Sequence, residues 1–283
     1  MPELPEVETV RRGLQSRCGD QRITAVKVLR PRAIVAPADP ELFCLALQDT
    51  CVQDWQRRGK YLLAPLRSSR DGSPAGLWGV HLRMTGQFLW LESAGEPCRH
   101  TRVQLLLEGG RELRFIDSRS FAQMWYVPDQ VPLETVITGL ARLGPEPFSE
   151  MFSSAYLAGR LSGSSRPIKS ALLDQSLVAG VGNIYADESL FAAGIPPRLP
   201  AGRLSEEQIE RLRLALVEVL TISIGKGGTT FSDFRDLQGV NGNYGGQAWV
   251  YRRAGQPCRR CGTTIQRLKL AGRSSHWCPS CQP

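Results

Sequence analysis

The chain has 283 residues, 42% hydrophobic and 22% charged, the proportions of a globular protein long enough for one large or two modest domains. No apolar run reaches the length of a membrane span, and the N-terminus is acidic where a secretory signal would be basic and then apolar, so a cytoplasmic setting is expected. A net charge of +8 and a pI near 9.3 point to a polyanionic partner, though the placement of the charge matters more than its total.

The first residues are Met1-Pro2-Glu3-Leu4-Pro5-Glu6. Removal of Met1 would leave a terminal secondary amine on Pro2, beside the Glu3 carboxylate. An α-amino group has a pKa of about 7.7–8.0, so near neutral pH part of it is unprotonated and able to attack a carbonyl-like carbon. The plainer alternative is that a small second residue only permits methionine excision and that Pro5 starts a helix. Residues 6–18 read as that helix, with Val7, Val10 and Leu14 on one face. β-type runs follow at 23–29, 60–66, 77–84, 87–91, 103–107, 113–117 and 123–127, with one helix at 39–47 between the first two. Glu108-Gly109-Gly110-Arg111 is a hairpin turn. Residues 68–75 look like a surface insertion. The expected arrangement is a β-sandwich that packs the N-terminal helix.

Composition changes at Gly144-Pro145-Glu146-Pro147, and the pattern beyond it is helical: 153–159, 168–175, 183–193 and 205–224. Ser205 and Gln208 make a capping box for the last of these, with Gly225 past its end. The boundaries expected are a β domain over 1–135, a linker over 136–150, a helical domain over 151–246 and a terminal element over 247–283. The fold class is α+β.

Val178-Ala179-Gly180-Val181-Gly182-Asn183 joins two helices and opens the second, so its unpaired amides suit a phosphate. An ordinary helical hairpin fits as well. It lacks the third glycine and the preceding strand of a dinucleotide fingerprint. Gly225-Lys226-Gly227-Gly228-Thr229 follows a helix, where a P-loop would precede one. Met84 in His81-Leu82-Arg83-Met84-Thr85-Gly86-Gln87 is either a gap-filler or a wedge for a base stack. Arg119 and Phe121 offer a second such pair or ordinary strand surface.

No Asp or Glu follows Asp236, whereas Arg252, Arg253, Arg259, Arg260, Arg267, Lys269 and Arg273 do. This cationic end carries Trp249, Tyr251 and Trp277, which a disordered tail rarely has. Cys258, Cys261, Cys278 and Cys281 are spaced C-x2-C-x16-C-x2-C, a pattern that places four thiolates around one structural zinc and leaves no open position for catalysis. The scattered Cys18, Cys44, Cys51 and Cys98 are expected to be inert core thiols. Only five basic residues are lysine, Lys60 and Lys169 among them, which draws attention to those positions.

Together these motifs resemble the formamidopyrimidine-DNA glycosylase family. The resemblance rests on Pro2-Glu3-Leu4-Pro5-Glu6, Arg58-Gly59-Lys60-Tyr61, the His81–Gly86 run, Gly180-Val181-Gly182-Asn183-Ile184-Tyr185-Ala186 and the four-cysteine ribbon, in that order. It implies an N-terminal β-sandwich, then a helix–two-turn–helix domain with a zinc-finger hairpin. It also implies a monomeric glycosylase and abasic-site lyase acting on oxidised purines in double-stranded DNA. Pro2 would be the nucleophile, Glu3 the general acid/base, and Glu6 its support. Lys60, Asn183 and Arg273 would hold phosphates, and His100 would contact DNA. Met84, Arg119 and Phe121 would fill the hole in the duplex. Lys169, Tyr244 and the 229–244 loop would lie near the extruded base. A non-catalytic member that binds distorted DNA is the competing expectation, and a zinc-ribbon adaptor a more distant one. Arg252 stands where the family often has glycine.

Overall fold

In the computed structural model, which describes residues 1–229, 237, 242 and 244–283, helix α1 spans Leu4–Cys18. It begins two residues ahead of the expected start because Glu3 is its N-cap and Pro5 lies in the first turn, where a missing N–H costs nothing. Leu4, Val7, Val10, Leu14 and Cys18 form its buried stripe.

The chain folds as two compact units. The first comprises Met1–Ala141 and Gly227–Asn243. After α1 come β1 (Ile23–Val28), β2 (Ile34–Ala36), α2 (Pro40–Leu47), β3 (Thr50–Val52), β4 (Gln56–Arg58), β5 (Tyr61–Ser68), β6 (Pro74–His81), β7 (Gly86–Leu91), β8 (Thr101–Leu107), β9 (Glu112–Asp117), β10 (Gln123–Val127) and α3 (Leu133–Val136). One sheet has the order β1-β8-β9-β7; the other runs β2-β10-β6-β5-β3, with β4 paired to β5. The sequence pattern missed β2, β3 and β4, each three residues long and too short to display a period of two. The hairpin Glu108–Gly110 forms as expected, with Gly109 and Gly110 both at positive φ. Residues 69–73 form the tip between β5 and β6, and Ser68 N–H donates to Ser73 O at 2.9 Å.

Residues of α1 and of both sheets share one core. Its centre is aromatic: Phe88 lies edge-on to Trp55, Trp78 and Phe115, with centroids 6.3, 5.8 and 4.9 Å away. Cys18 is buried in this core, and burial pushes its thiol up to about 12. Cys98 departs from the expected core position: it is exposed.

The second unit comprises Arg142–Lys226 and Tyr244–Pro283. It contains α4 (Ser154–Leu161), α5 (Ile168–Leu172), α6 (Asn183–Ala193), α7 (Glu206–Gly225) and a hairpin of β11 (Gln266–Leu270) and β12 (Arg273–Trp277). Ser205 and Gln208 form the expected capping box, but α7 runs through Gly225. Between α5 and α6, Leu177, Val178, Ala179 and Val181 are buried. The Gln175 side chain fixes that turn, accepting from Gly180 N–H at 3.0 Å and donating to Val181 O at 2.8 Å. Gly180 takes φ +86°, a conformation that glycine adopts without penalty. Among the described residues no helix is long and apolar enough to cross a membrane.

Phe88 is 1% exposed, so Phe88→Ala should destabilise the protein by about 3–5 kcal/mol. Denaturant unfolding of the two proteins measures it.

Candidate functional site

In the first unit Pro2, Glu3 and Glu6 are all buried. Glu6 Oε2 accepts the Glu3 N–H at 2.8 Å. Its Oε1 accepts the N–H and hydroxyl of Thr229 at 2.7 and 3.0 Å. One carboxylate thus ties the backbone beside Pro2 to a residue 223 positions away. Gly228 makes the approach possible, since a Cβ there would lie 2.7 Å from Glu6 Oε1 and the residue sits at φ +78°. Most of the 229–244 loop lies outside the described residues.

Lys60 is 7% exposed and belongs to the two-residue Gly59-Lys60 turn between β4 and β5, just before the strand expected to hold it. Its charge reaches His81, which ends β6 and was not singled out in its motif. Burial first, then the charges of Arg83 and Lys60, push the imidazole down to about 3. His81 Nδ1 accepts the Arg83 N–H at 3.0 Å, so the ring is neutral and its proton sits on Nε2.

Met84 and Phe121 are 38% and 43% exposed, and the Arg119 guanidinium lies 4.8 Å from the Phe121 ring centroid. Asp117, 1% exposed, connects these groups. Its Oδ1 accepts from the Thr85 hydroxyl and, at 3.2 Å, from the Arg119 N–H; its Oδ2 accepts the Ala122 N–H at 2.8 Å. The Met84 turn and the Arg119–Phe121 loop are therefore fixed to one carboxylate. Asp117 stood inside a noted motif, but its spacing gave no sign of this role. His100 is half-buried and lines an arginine-rich cavity.

In the second unit Asn183 begins α6, and its buried Oδ1 has no hydrogen-bond partner among the described residues. No acidic side chain occupies the first turn, so the positive end of the helix dipole is not locally cancelled. Arg273 is exposed at the start of β12.

Lys169, expected at an extruded base, is instead 1% exposed. Its ammonium pairs with Asp187 Oδ1 at 2.7 Å and donates to Ser274 O at 2.6 Å. A buried ammonium must be paired in this way to offset lost hydration. Asp187 Oδ2 also accepts the His276 N–H at 2.9 Å. Lys169 therefore positions β12, the strand that carries Arg273. Tyr244 is likewise turned inward: it is 4% exposed and faces Glu188 Oε2 at 3.4 Å. Glu188, wholly buried, accepts the N–H groups of Trp249, Val250 and Tyr251 at 2.8, 3.0 and 2.9 Å. Burial raises its pKa, opposed by these amides. The next residue, Arg252, takes φ +57°, so the turn keeps a conformation that favours glycine even though arginine occupies it.

The four cysteine Sγ atoms lie within 4.8 Å of one another, with Cys258–Cys281 at 3.9 Å and Cys261–Cys278 at 3.5 Å. A tetrahedron with Zn–S bonds of about 2.3 Å has S–S edges of about 3.8 Å, so the residues fit the ion. Zinc bound there would supply a cross-link between the two ends of the β11–β12 hairpin. Beside it, the Arg260 guanidinium lies 4.5 Å from the Phe191 centroid, and Phe191 stacks on Trp249.

Two outcomes are expected. The purified protein should hold one zinc per chain by metal analysis, and Cys261→Ser should lose the metal together with amide-exchange protection of β11 and β12. His81 binds a proton more readily unfolded, near pH 6.5, than folded, near pH 3. Its contribution to stability is thus complete above about pH 6.5 and declines as the pH falls toward 3. Denaturant midpoints measured over that window should fall less steeply in His81→Gln than in wild type.

Comparison with known proteins places this geometry. Residues 1–124 match the formamidopyrimidine-DNA glycosylase N-terminal domain, 143–235 the H2TH domain of the same enzymes, and 255–283 a zinc finger found in FPG and IleRS. The formamidopyrimidine-DNA glycosylase of a Synechococcus strain is 68% identical, covering 100% of this chain and 99% of that protein. That of Parasynechococcus marenigrum is 66% identical, with 100% of each covered. Among solved structures, MutM (Fpg) of Thermus thermophilus is 41% identical with TM-score 0.86, covering 99% of this chain and 98% of that one. Lactococcus lactis Fpg in complex with abasic-site DNA is 33% identical with TM-score 0.88, covering 99% of each. The chain belongs to the formamidopyrimidine-DNA glycosylase family.

Proposed function

We propose that this protein is a bifunctional DNA glycosylase and abasic-site lyase of base-excision repair. It excises oxidised purines, 8-oxoguanine and formamidopyrimidines, from duplex DNA and then cuts the strand. The observation that carries the proposal is the buried Pro2-Glu3 terminus, held by Glu6 to Glu3 N–H and Thr229. Family relatives solved with abasic-site DNA and with Fapy-dG DNA support the substrate class.

With Met1 removed, the Pro2 nitrogen attacks the anomeric carbon of the damaged nucleotide. The N–C bond forms as the glycosidic bond breaks, and the base leaves with a proton. Glu3 protonates the sugar ring oxygen, the ring opens, and an iminium remains on Pro2. Loss of a C2′ proton expels the 3′ phosphate, and a further elimination expels the 5′ phosphate. Hydrolysis of the iminium frees the enzyme. Lys60, Asn183 and Arg273 bind backbone phosphates of the damaged strand. Met84, Arg119 and Phe121 take the space of the flipped nucleotide, whose unstacking costs a few kcal/mol, with Arg119 toward the orphaned cytosine. Lys169 and Tyr244 act through the elements they position. The zinc ribbon grips DNA, and the enzyme works as a monomer on the cytoplasmic nucleoid.

Borohydride should trap wild-type protein on a duplex carrying 8-oxoguanine opposite cytosine, and Pro2→Gly should lose the adduct. Trapping of Pro2→Gly at the full rate would remove Pro2 as nucleophile; wild type that neither traps nor nicks would leave a DNA-binding module. Glu3→Gln should slow base excision by roughly 10²–10⁴-fold while still forming an adduct on a preformed abasic site.

A further inference from the structure

The first unit holds a cavity of about 550 Å³ whose wall carries Arg30, Arg32, Arg99, Arg102 and His100. Among the described residues no carboxylate lines it, and none of the four arginines has an acidic partner. Arg30, Arg32 and Arg99 are exposed. Arg102 is only 5% exposed. Its Nη1 donates to Arg99 O at 3.2 Å, but its buried Nε has no hydrogen-bond partner among the described residues. An orphaned buried donor of this kind keeps its desolvation cost uncompensated, and like charges on one wall repel. An anion would relieve both.

Two further features narrow the anion. Among the described residues the wall's only aromatic ring is that of His100, Pro31 adding an aliphatic one, which disfavours a nucleotide and favours bare phosphate. Ser118 and Ser120 complete the wall, and they flank Arg119, the residue placed above at the orphaned cytosine. Consecutive Cα atoms lie only about 3.8 Å apart, so a phosphate in this cavity sits beside the group that enters the helix. We infer that the Arg30–Arg32–Arg99–Arg102 cavity binds the phosphodiester backbone of the undamaged strand next to the orphaned base. The inference rests on the glycosylase reading. It adds a second grip, on the strand that carries no lesion.

The test uses full-length, zinc-loaded protein in which the three exposed arginines are changed together, Arg30→Gln, Arg32→Gln and Arg99→Gln, with Arg102 kept to preserve folding. Binding is measured to a duplex with a non-cleavable abasic analogue opposite cytosine. The triple variant should bind about 10- to 100-fold more weakly, and its log–log salt slope should be shallower by about 0.9 for each phosphate lost. Replacing phosphates beside the orphaned base with neutral methylphosphonates should weaken wild type and leave the variant nearly unaffected. Equal affinity of the two proteins would overturn the inference, as would an equal methylphosphonate penalty in both. Tripolyphosphate binding that is lost in the variant while DNA affinity is unchanged would overturn it in favour of a free anion. Wild type is trapped with borohydride in parallel: if it traps and nicks while the cavity substitutions do nothing, only the second grip fails. If wild type does neither, the glycosylase reading fails first.

Discussion

A carboxylate removed from water must find its hydrogen-bond donors in the chain itself, and that requirement organises both units. Glu6 gathers Glu3 N–H and Thr229; Asp117 gathers Thr85, Arg119 and Ala122; Glu188 gathers three consecutive amides after Tyr244. Asp187 takes Lys169 and the His276 N–H. Most of these donors are backbone groups of loops that would otherwise have several conformations of similar energy. Since an unmet buried charge is far more costly than a lost surface contact, each acid selects one conformation of its loop. Pro2, Met84, Arg119 and Phe121, four of the groups assigned to DNA, sit on or beside those loops.

The same arrangement settles the charge around α6. Asp187 and Glu188 stand within two turns of its N-terminus, where carboxylates would ordinarily dull the attraction for phosphate. Their oxygens are occupied by Lys169, His276 and the 249–251 amides. Both acids thereby hold the zinc hairpin and its approach against the helix, while Asn183 keeps an open first turn.

Elements with a strong local signature were legible in the sequence. The Ser205 capping box, the glycine hairpin at 108–111 and the paired cysteines each state their geometry within a few residues. The strands of three residues were not legible, because they owe their existence to neighbours in the sheet and not to a pattern of their own. The surroundings of Lys169 were hidden for a related reason. Its place near the extruded base came from the family resemblance, and no spacing announced that its ammonium would be buried against Asp187 and Ser274 O. Glu188 drew no attention at all, since its donors are backbone amides, which every sequence contains everywhere. What sequence spacing conveys poorly is which buried acid meets which distant amide.

Gly228 shows how far this reaches. It has no side chain to offer a substrate, yet its backbone passes so close to Glu6 that any Cβ would displace the carboxylate. A substitution there would push on the support of Glu3 and Pro2 without touching either. In a survey of tolerated substitutions, position 228 would favour glycine for both its backbone conformation and its closeness to Glu6. Some of the machinery at the terminus consists of an atom that must be missing.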